Sequence, residues 1–174
     1  MLVIIDSMTL PYPSSQMAIE QAGNVITFTI IKEQAIEENS RLLKNNFFDD
    51  LIEDRIHSDE EILSRANYYG LNENLTNICI ICTVDQKGQN YEDLQLYEKK
   101  AGELYNSIYD QLEDEIVHSN LDGVLFTKEK YFVMILQFAA GNEADPNEVT
   151  EFVNRCQESL QGDFSISFGV SNTV

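Results

Sequence analysis

The stretch Asp122-Gly-Val-Leu-Phe-Thr-Lys-Glu-Lys-Tyr-Phe-Val-Met-Ile-Leu-Gln-Phe138 sets two apolar, β-rich runs on either side of three consecutive charges. It holds no proline, and reads as a β-hairpin with a charged tip at Lys128-Glu-Lys130. What flanks the hairpin decides the fold. Before it, Asn77-Ile-Cys-Ile-Ile-Cys-Thr-Val84 is apolar on both faces, as a central, covered strand is. An amphipathic helix follows, with Leu94, Tyr97, Ala101, Leu104, Ile108, Leu112 and Ile116 on one stripe. After the hairpin, Asp145-Pro146 has the form of an N-cap and a first helical position. Val149, Phe152, Val153, Cys156 and Leu160 give that helix a buried face. Phe164-Ser-Ile-Ser-Phe-Gly-Val170 then alternates strictly, as a half-buried strand does. From residue 77 the order is strand, helix, strand, strand, helix, strand, which predicts an α+β, ferredoxin-like βαββαβ sheet domain.

Upstream, residues 2–5 read as a short buried strand closed by the Pro11-Tyr-Pro13 turn. From Ser15 a helical pattern runs through Met17, Ile19, Ala22, Val25, Ile26, Ile30, Ile31, Ala35 and Ile36. It continues into Leu43, Phe47, Phe48, Leu51 and Ile52, which share one face. No proline interrupts it; a break near Asn39-Ser40 is the alternative. A helix of this length links domains or pairs with a copy of itself. Ser58-Asp-Glu-Glu61 has the form of a capping box. The helix that it opens carries Ile62, Leu63, Ala66 and Tyr69 and stops at Gly70, a good residue for a helix C-terminus.

The 174 residues suffice for a core without metals or disulfides. The formal charge of −19, from 30 acidic against 11 basic residues, repels phosphates and anionic membranes, so this part of a protein is not expected to bind nucleic acid. Three cysteines do not make a disulfide framework, and the cytoplasm is the expected setting. Cys79 and Cys82 are spaced C-x-x-C, but residues three apart on a strand face opposite ways, against a redox or zinc pair. The apolar runs are too short for a membrane span. Neither a P-loop nor G-x-G-x-x-G is present. His57 and His118 stand beside helix ends, where a partial positive charge is useful. Asp49-Asp50 and Glu53-Asp54 read as the solvated face of a helix, and Phe47-Phe48 and Tyr68-Tyr69 as core. One acidic pair admits chemistry. Asp85 ends the first core strand and Glu129 lies at the hairpin tip, adjacent in a ferredoxin-like sheet, where two acids can hold Mg²⁺ for a nucleotide. The plainer reading, and the preferred one, is that both are ordinary turn residues.

From Arg41 onward the chain resembles the GGDEF-like domain of the PucR/CdaR family of bacterial transcriptional regulators. Asn46-Phe-Phe-Asp-Asp-Leu-Ile-Glu-Asp-Arg-Ile56 looks like that family's FL-x-DLL-x-G helix end. Ser58-Asp-Glu-Glu-Ile-Leu-Ser-Arg-Ala-Asn-Tyr-Tyr-Gly-Leu71 is similar to its S-x-EE-x-x-x-RA-x-x-LGL helix. The strand Ile78–Val84 and the closing Ile166-Ser-Phe-Gly-Val-Ser171 complete the likeness. The resemblance implies that residues 1–40 are the end of a GAF-like sensor domain with its linker helix, and that 41–174 form the regulatory domain. It implies DNA binding through a C-terminal helix-turn-helix outside this chain, a homodimer through the long helix, and no cofactor. GGDEF enzymes similar in fold join two GTP into cyclic di-GMP, with Gly-Gly-Asp/Glu-Glu-Phe at the hairpin tip. Here the tip reads Thr127-Lys-Glu-Lys-Tyr131. Glu129 keeps the third position, both glycines carry side chains, and Lys130 reverses the fourth charge. A regulatory module that is not an enzyme is therefore expected, with a degenerate nucleotide site on Asp85 and Glu129 as the alternative.

Overall fold

A computed structural model of the chain describes residues 14–85, 94–119, 121–139, 146–160 and 165–171, giving the backbone alone at Ser14, Ser15, Asp85 and residues 94–100. The strand expected at residues 2–5 and the cap Asp145 lie outside these. The order is α1 (Ser14–Ile52), α2 (Asp59–Tyr68), β1 (Thr76–Asp85), α3 (Leu94–His118), β2 (Asp122–Lys128), β3 (Tyr131–Phe138), α4 (Pro146–Ser159) and β4 (Ser165–Val170). The four strands form one sheet in the order β2-β3-β1-β4, every neighbouring pair antiparallel. That is the ferredoxin-like arrangement expected from the alternation of elements. The chain divides into two compact units between Leu43 and Lys44.

In the first unit α1 is unbroken across Asn39-Ser40, and the whole helix spans 39 residues. Its side chains up to Leu43 remain largely exposed, among them Val25, Phe28, Ile31 and Ile36. A lone helix of this kind gains little from packing, and helices owe most of their stability to a covered apolar face.

In the second unit the sheet is covered on both faces. Ile78, Ile80 and Cys82 of β1 alternate with Cys79 and Ile81, so the period of two sends them to opposite sides. Toward one side they meet Leu125, Phe132, Met134 and Leu136, with Ile108, Leu112 and Ile116 of α3 and Val149, Phe152 and Cys156 of α4. Burial among these apolar groups pushes the Cys82 and Cys156 thiols up to about 12. Toward the other side, Val124, Phe126 and Val133 meet Phe47 and Phe48 from the end of α1 and Ile56. Phe48 stacks on Phe126 with ring centroids 4.2 Å apart and planes 8° from parallel. Leu43 and Ile52, expected on the same apolar face, are instead exposed, and Tyr68 is exposed beside a half-buried Tyr69. Of the five residues on that face, Phe47 and Phe48 are fully buried and Leu51 is half-buried against the same cluster.

Both helix ends flanking this second layer close in Schellman motifs. After α2, Leu71 N–H donates to Ala66 O at 2.9 Å and Gly70 N–H to Asn67 O at 3.1 Å, with Gly70 at φ +95°. After α1, Arg55 N–H donates to Asp50 O at 2.8 Å and Asp54 N–H to Leu51 O at 3.2 Å, with Asp54 at φ +54°. The second motif thus places an aspartate where the backbone suits glycine. At the start of α2 only half of the expected capping box forms. Glu61 N–H donates to Ser58 Oγ at 3.3 Å, while the Glu61 carboxylate accepts from Arg65 at 3.3 Å.

Asp54→Gly should raise unfolding stability by about 1 kcal/mol and Gly70→Ala should lower it by a similar amount, read as shifts of the urea midpoint at constant slope. Gly123→Ala should also destabilise, by about 1–3 kcal/mol, because a Cβ there would lie 2.9 Å from both Ile135 O and Leu136 Cδ2.

Candidate functional site at the hairpin tip

The tip is a tight turn joining Lys128 to its partner Tyr131 through Glu129 and Lys130. Of the two loop residues only Glu129 has positive φ, +53°. A two-residue hairpin favours glycine at such a position, and a β-carbon there is strained.

β2 is an edge strand, so one row of its backbone groups has no neighbouring strand. Side chains from two helices supply partners. Asn45 uses both ends of its amide: Nδ2 donates to Thr127 Oγ1 at 2.9 Å, and Oδ1 accepts from Thr127 N–H at 3.0 Å. On α3, Tyr109 Oη donates to Leu125 O at 3.0 Å. Lys44 Nζ lies 5.5 Å from the centroid of that same Tyr109 ring and donates to Glu113 at 3.3 Å. A helix end thus closes the strand edge that would otherwise be open.

The next turns of α1 grip the tip by charge. Lys128 Nζ reaches Asp49 Oδ1 at 3.0 Å and Glu53 Oε1 at 2.6 Å. Asn45, Asp49 and Glu53 are four residues apart, so they form one line along the helix that faces the hairpin. Arg55 adds a further ion pair to Glu53. The hydrogen bond from Lys128, then that from Arg55, holds the Glu53 carboxyl below its ordinary value. The bonds to Glu53 and Asp49 raise the Lys128 ammonium above its own. The sequence pattern places Asp49 and Glu53 on a solvated helix face; in the structure they are partners of Lys128 instead. The signal was there in the spacing of 45, 49 and 53, but the partner lies some 75 residues later and only the fold brings it up.

The two acids singled out from sequence come to one end of the sheet. The β1–β3 register pairs Thr83 with Tyr131, the first residue of β3; Asp85 ends β1 two residues after Thr83, and Glu129 stands in the turn two residues before Tyr131. The Asp85 backbone pairs with Ser165 on its other side. The Glu129 side chain is exposed. Among the described residues no three histidine, cysteine or acidic side chains are grouped to hold a metal ion. His118 sits in the last turn of α3 with Nδ1 2.6 Å from Asp114 O, at a helix end as expected. His57 is exposed between α1 and α2.

Comparison with known proteins matches residues 53–174, well over half of the chain, to the GGDEF-like domain family. The chain belongs to that family. It is also 29% identical over 158 residues to the purine catabolism regulatory protein of Bacillus subtilis (strain 168), covering 90% of this chain and 29% of that protein. The chain therefore spans less than a third of the length of this regulatory relative. No solved structure matches it significantly. Set against the GGDEF tip of the enzymes that share this fold, Thr127 and Lys128 fall on the two glycine positions. In this GGDEF-like domain both of those side chains are engaged by α1. Asp54, just past the end of α1, has the left-handed backbone that favours glycine. Among the described residues, no helix is long and apolar enough to cross a membrane.

The contribution of Glu53 to the clasp is present above the ordinary glutamate value and is lost as pH falls through its lowered one. The contribution of Lys128 is present below the ordinary lysine value and is lost as pH rises through its raised one. Amide exchange at the hairpin tip should therefore be slowest relative to the Lys128→Ala variant between about pH 5 and 10, and the two proteins should converge at either extreme. Asn45→Ala should lower stability by about 1 kcal/mol by urea denaturation, since it leaves Thr127 N–H to water.

Proposed function

We propose that this chain is a non-catalytic, signal-transmitting part of a cytoplasmic bacterial transcriptional regulator. Residues 1–40 belong to the end of a ligand sensor and its linker helix, and residues 41–174 form the GGDEF-like regulatory domain. DNA is bound by a helix-turn-helix outside this chain, and two copies pair through α1. One observation carries the reading: Asn45 and Asp49 of α1, with Glu53 just past its end, hold Thr127 and Lys128. Those are the positions where a cyclase keeps bare glycine backbone for its nucleotide. Glycine there permits close approach of a phosphate, whereas a threonine and a lysine tied to a helix fill that space. The same contacts fasten the sheet to the helix that leads toward the sensor, so a change in α1 reaches the hairpin directly. The regulatory character of the Bacillus subtilis relative supports the same reading.

The competing reading is a degenerate nucleotide site in which Asp85 and Glu129 hold Mg²⁺. Titration calorimetry with GTP, ATP and cyclic di-GMP, each with and without Mg²⁺, separates the two. No heat of binding is expected; Mg²⁺-dependent binding that Glu129→Ala abolishes would establish the competitor instead. For the pairing of copies, Ile36→Glu with Leu43→Glu should weaken self-association at least tenfold by sedimentation equilibrium, about 1.4 kcal/mol. Unchanged association would remove α1 from the interface.

A further inference from the structure

The two edges of the sheet are treated in opposite ways. The β2 edge is closed by Asn45 and Tyr109, as described above. Among the described residues, the β4 edge is not blunted by any of the usual devices. Exposed edge strands are normally protected by charge, proline or a bulge, because an open row of N–H and C=O groups templates pairing with another chain. In a chain of formal charge −19, Ser165-Ile-Ser-Phe-Gly-Val-Ser171 has no ionisable side chain and no proline. Its pairing with β1 is continuous from Asp85↔Ser165 to Ile80↔Val170, with no bulge.

The register states which backbone groups face outward. Ser171 N–H donates to Cys79 O at 2.8 Å. In an antiparallel ladder, bonded and non-bonded pairs alternate. Gly169, Ser167 and Ser165 therefore bond to β1, and Ile166, Phe168 and Val170 turn their N–H and C=O away from it. The side chains of these last three lie on the α4 face of the sheet. Ile166 and Phe168 are only half-buried at the margin of that core, and Val170 is 50% exposed. On the opposite face the strip is nearly flat: Gly169 has open space around its Cα, and Ile81 beside it is 43% exposed.

We infer that β4 pairs antiparallel with β4 of a second copy, joining two sheets into one across a twofold axis at Phe168. A copy is as acidic as the chain itself, so a strip without charge favours its close approach, and β4 is such a strip. The pairing is self-complementary, as an isologous contact must be. Phe168 of each copy exchanges both backbone bonds with the other, and Ile166 of one lies opposite Val170 of the other. The half-covered apolar margins of the two α4-side cores then shield one another. The pairing uses a different surface from α1, so it stands or falls separately from the pairing through α1 proposed above.

Sedimentation equilibrium of the whole 174-residue chain tests it with two substitutions at one position. Val170→Pro removes an outward N–H and no bond to β1, so the fold should survive while association through β4 weakens by about tenfold or more. Val170→Thr keeps the N–H and β-branching and should associate like the parent. Ile36→Glu with Leu43→Glu should leave the β4 step intact. Association of Val170→Pro equal to the parent, or equal loss in Val170→Thr, would overturn the inference, as would a parent chain monomeric at every concentration. Should Val170→Pro lose its circular dichroism, hydrogen exchange of the parent decides. Amides of Ile166, Phe168 and Val170 must gain protection as concentration rises, and concentration-independent exchange refutes the pairing.

Discussion

The constraint on which the rest of this molecule depends is that β2 is an edge strand that cannot be left open. Its second face is covered by the last turns of α1, and its outer backbone row is met by side chains of α1 and α3. The face is covered by apolar contact, through Phe47 and Phe48 against Val124, Phe126 and Val133. The edge is met by hydrogen bonds: Thr127 N–H donates to Asn45 Oδ1, and Tyr109 Oη of α3 donates to Leu125 O. Phe48 stacked on Phe126 anchors the joint, and removing such a buried ring typically costs about 3–5 kcal/mol. The Lys128 ion pairs at the tip are half-exposed and add direction more than strength. The apolar seat is therefore the firm part of the joint, and the polar clasp at its end the weaker part.

This arrangement gives the degenerate tip a physical meaning. In a nucleotide enzyme the hairpin end must stay bare so that backbone can approach phosphate. Here the same place is occupied by side chains that face the helix. Glu129 keeps an acidic group at the turn but at φ +53°, a backbone suited to glycine. Asp54 repeats the pattern at the end of α1. Two acidic residues thus stand where left-handed backbone is required. The turns are formed all the same, because the surrounding hydrogen bonds and packing determine the backbone and the side chain conforms to it.

The two sheet edges show how one fold separates internal from external use. Edge β2 is sealed by the chain's own helices, while β4 has neither charge nor proline to repel a strand. With α1 exposing apolar side chains along the unit up to Leu43, the molecule offers two regions of uncovered apolar surface. Of the two, β4 has no ionisable side chain, whereas α1 carries charges of both signs.

The element order, the continuity of α1 across Asn39-Ser40, the opposed faces of Cys79 and Cys82, and Gly70 at a helix end were legible from the sequence. They rest on local periodicity and on the backbone preferences of single residues, which short windows of sequence contain. The burial of Phe47 and Phe48 was legible too, but the exposure of Leu43 and Ile52 was not, since periodicity defines a face and not how far the neighbouring sheet extends across it. The partnership of Asn45, Asp49 and Glu53 with Thr127 and Lys128 was beyond reach for the same reason. A stripe of polar residues on a helix looks alike whether it faces water or a distant hairpin. The sequence by itself determined which elements form and which residues could be buried. Only the tertiary structure decided which polar groups met, because that depends on strand order bringing together segments far apart in the chain.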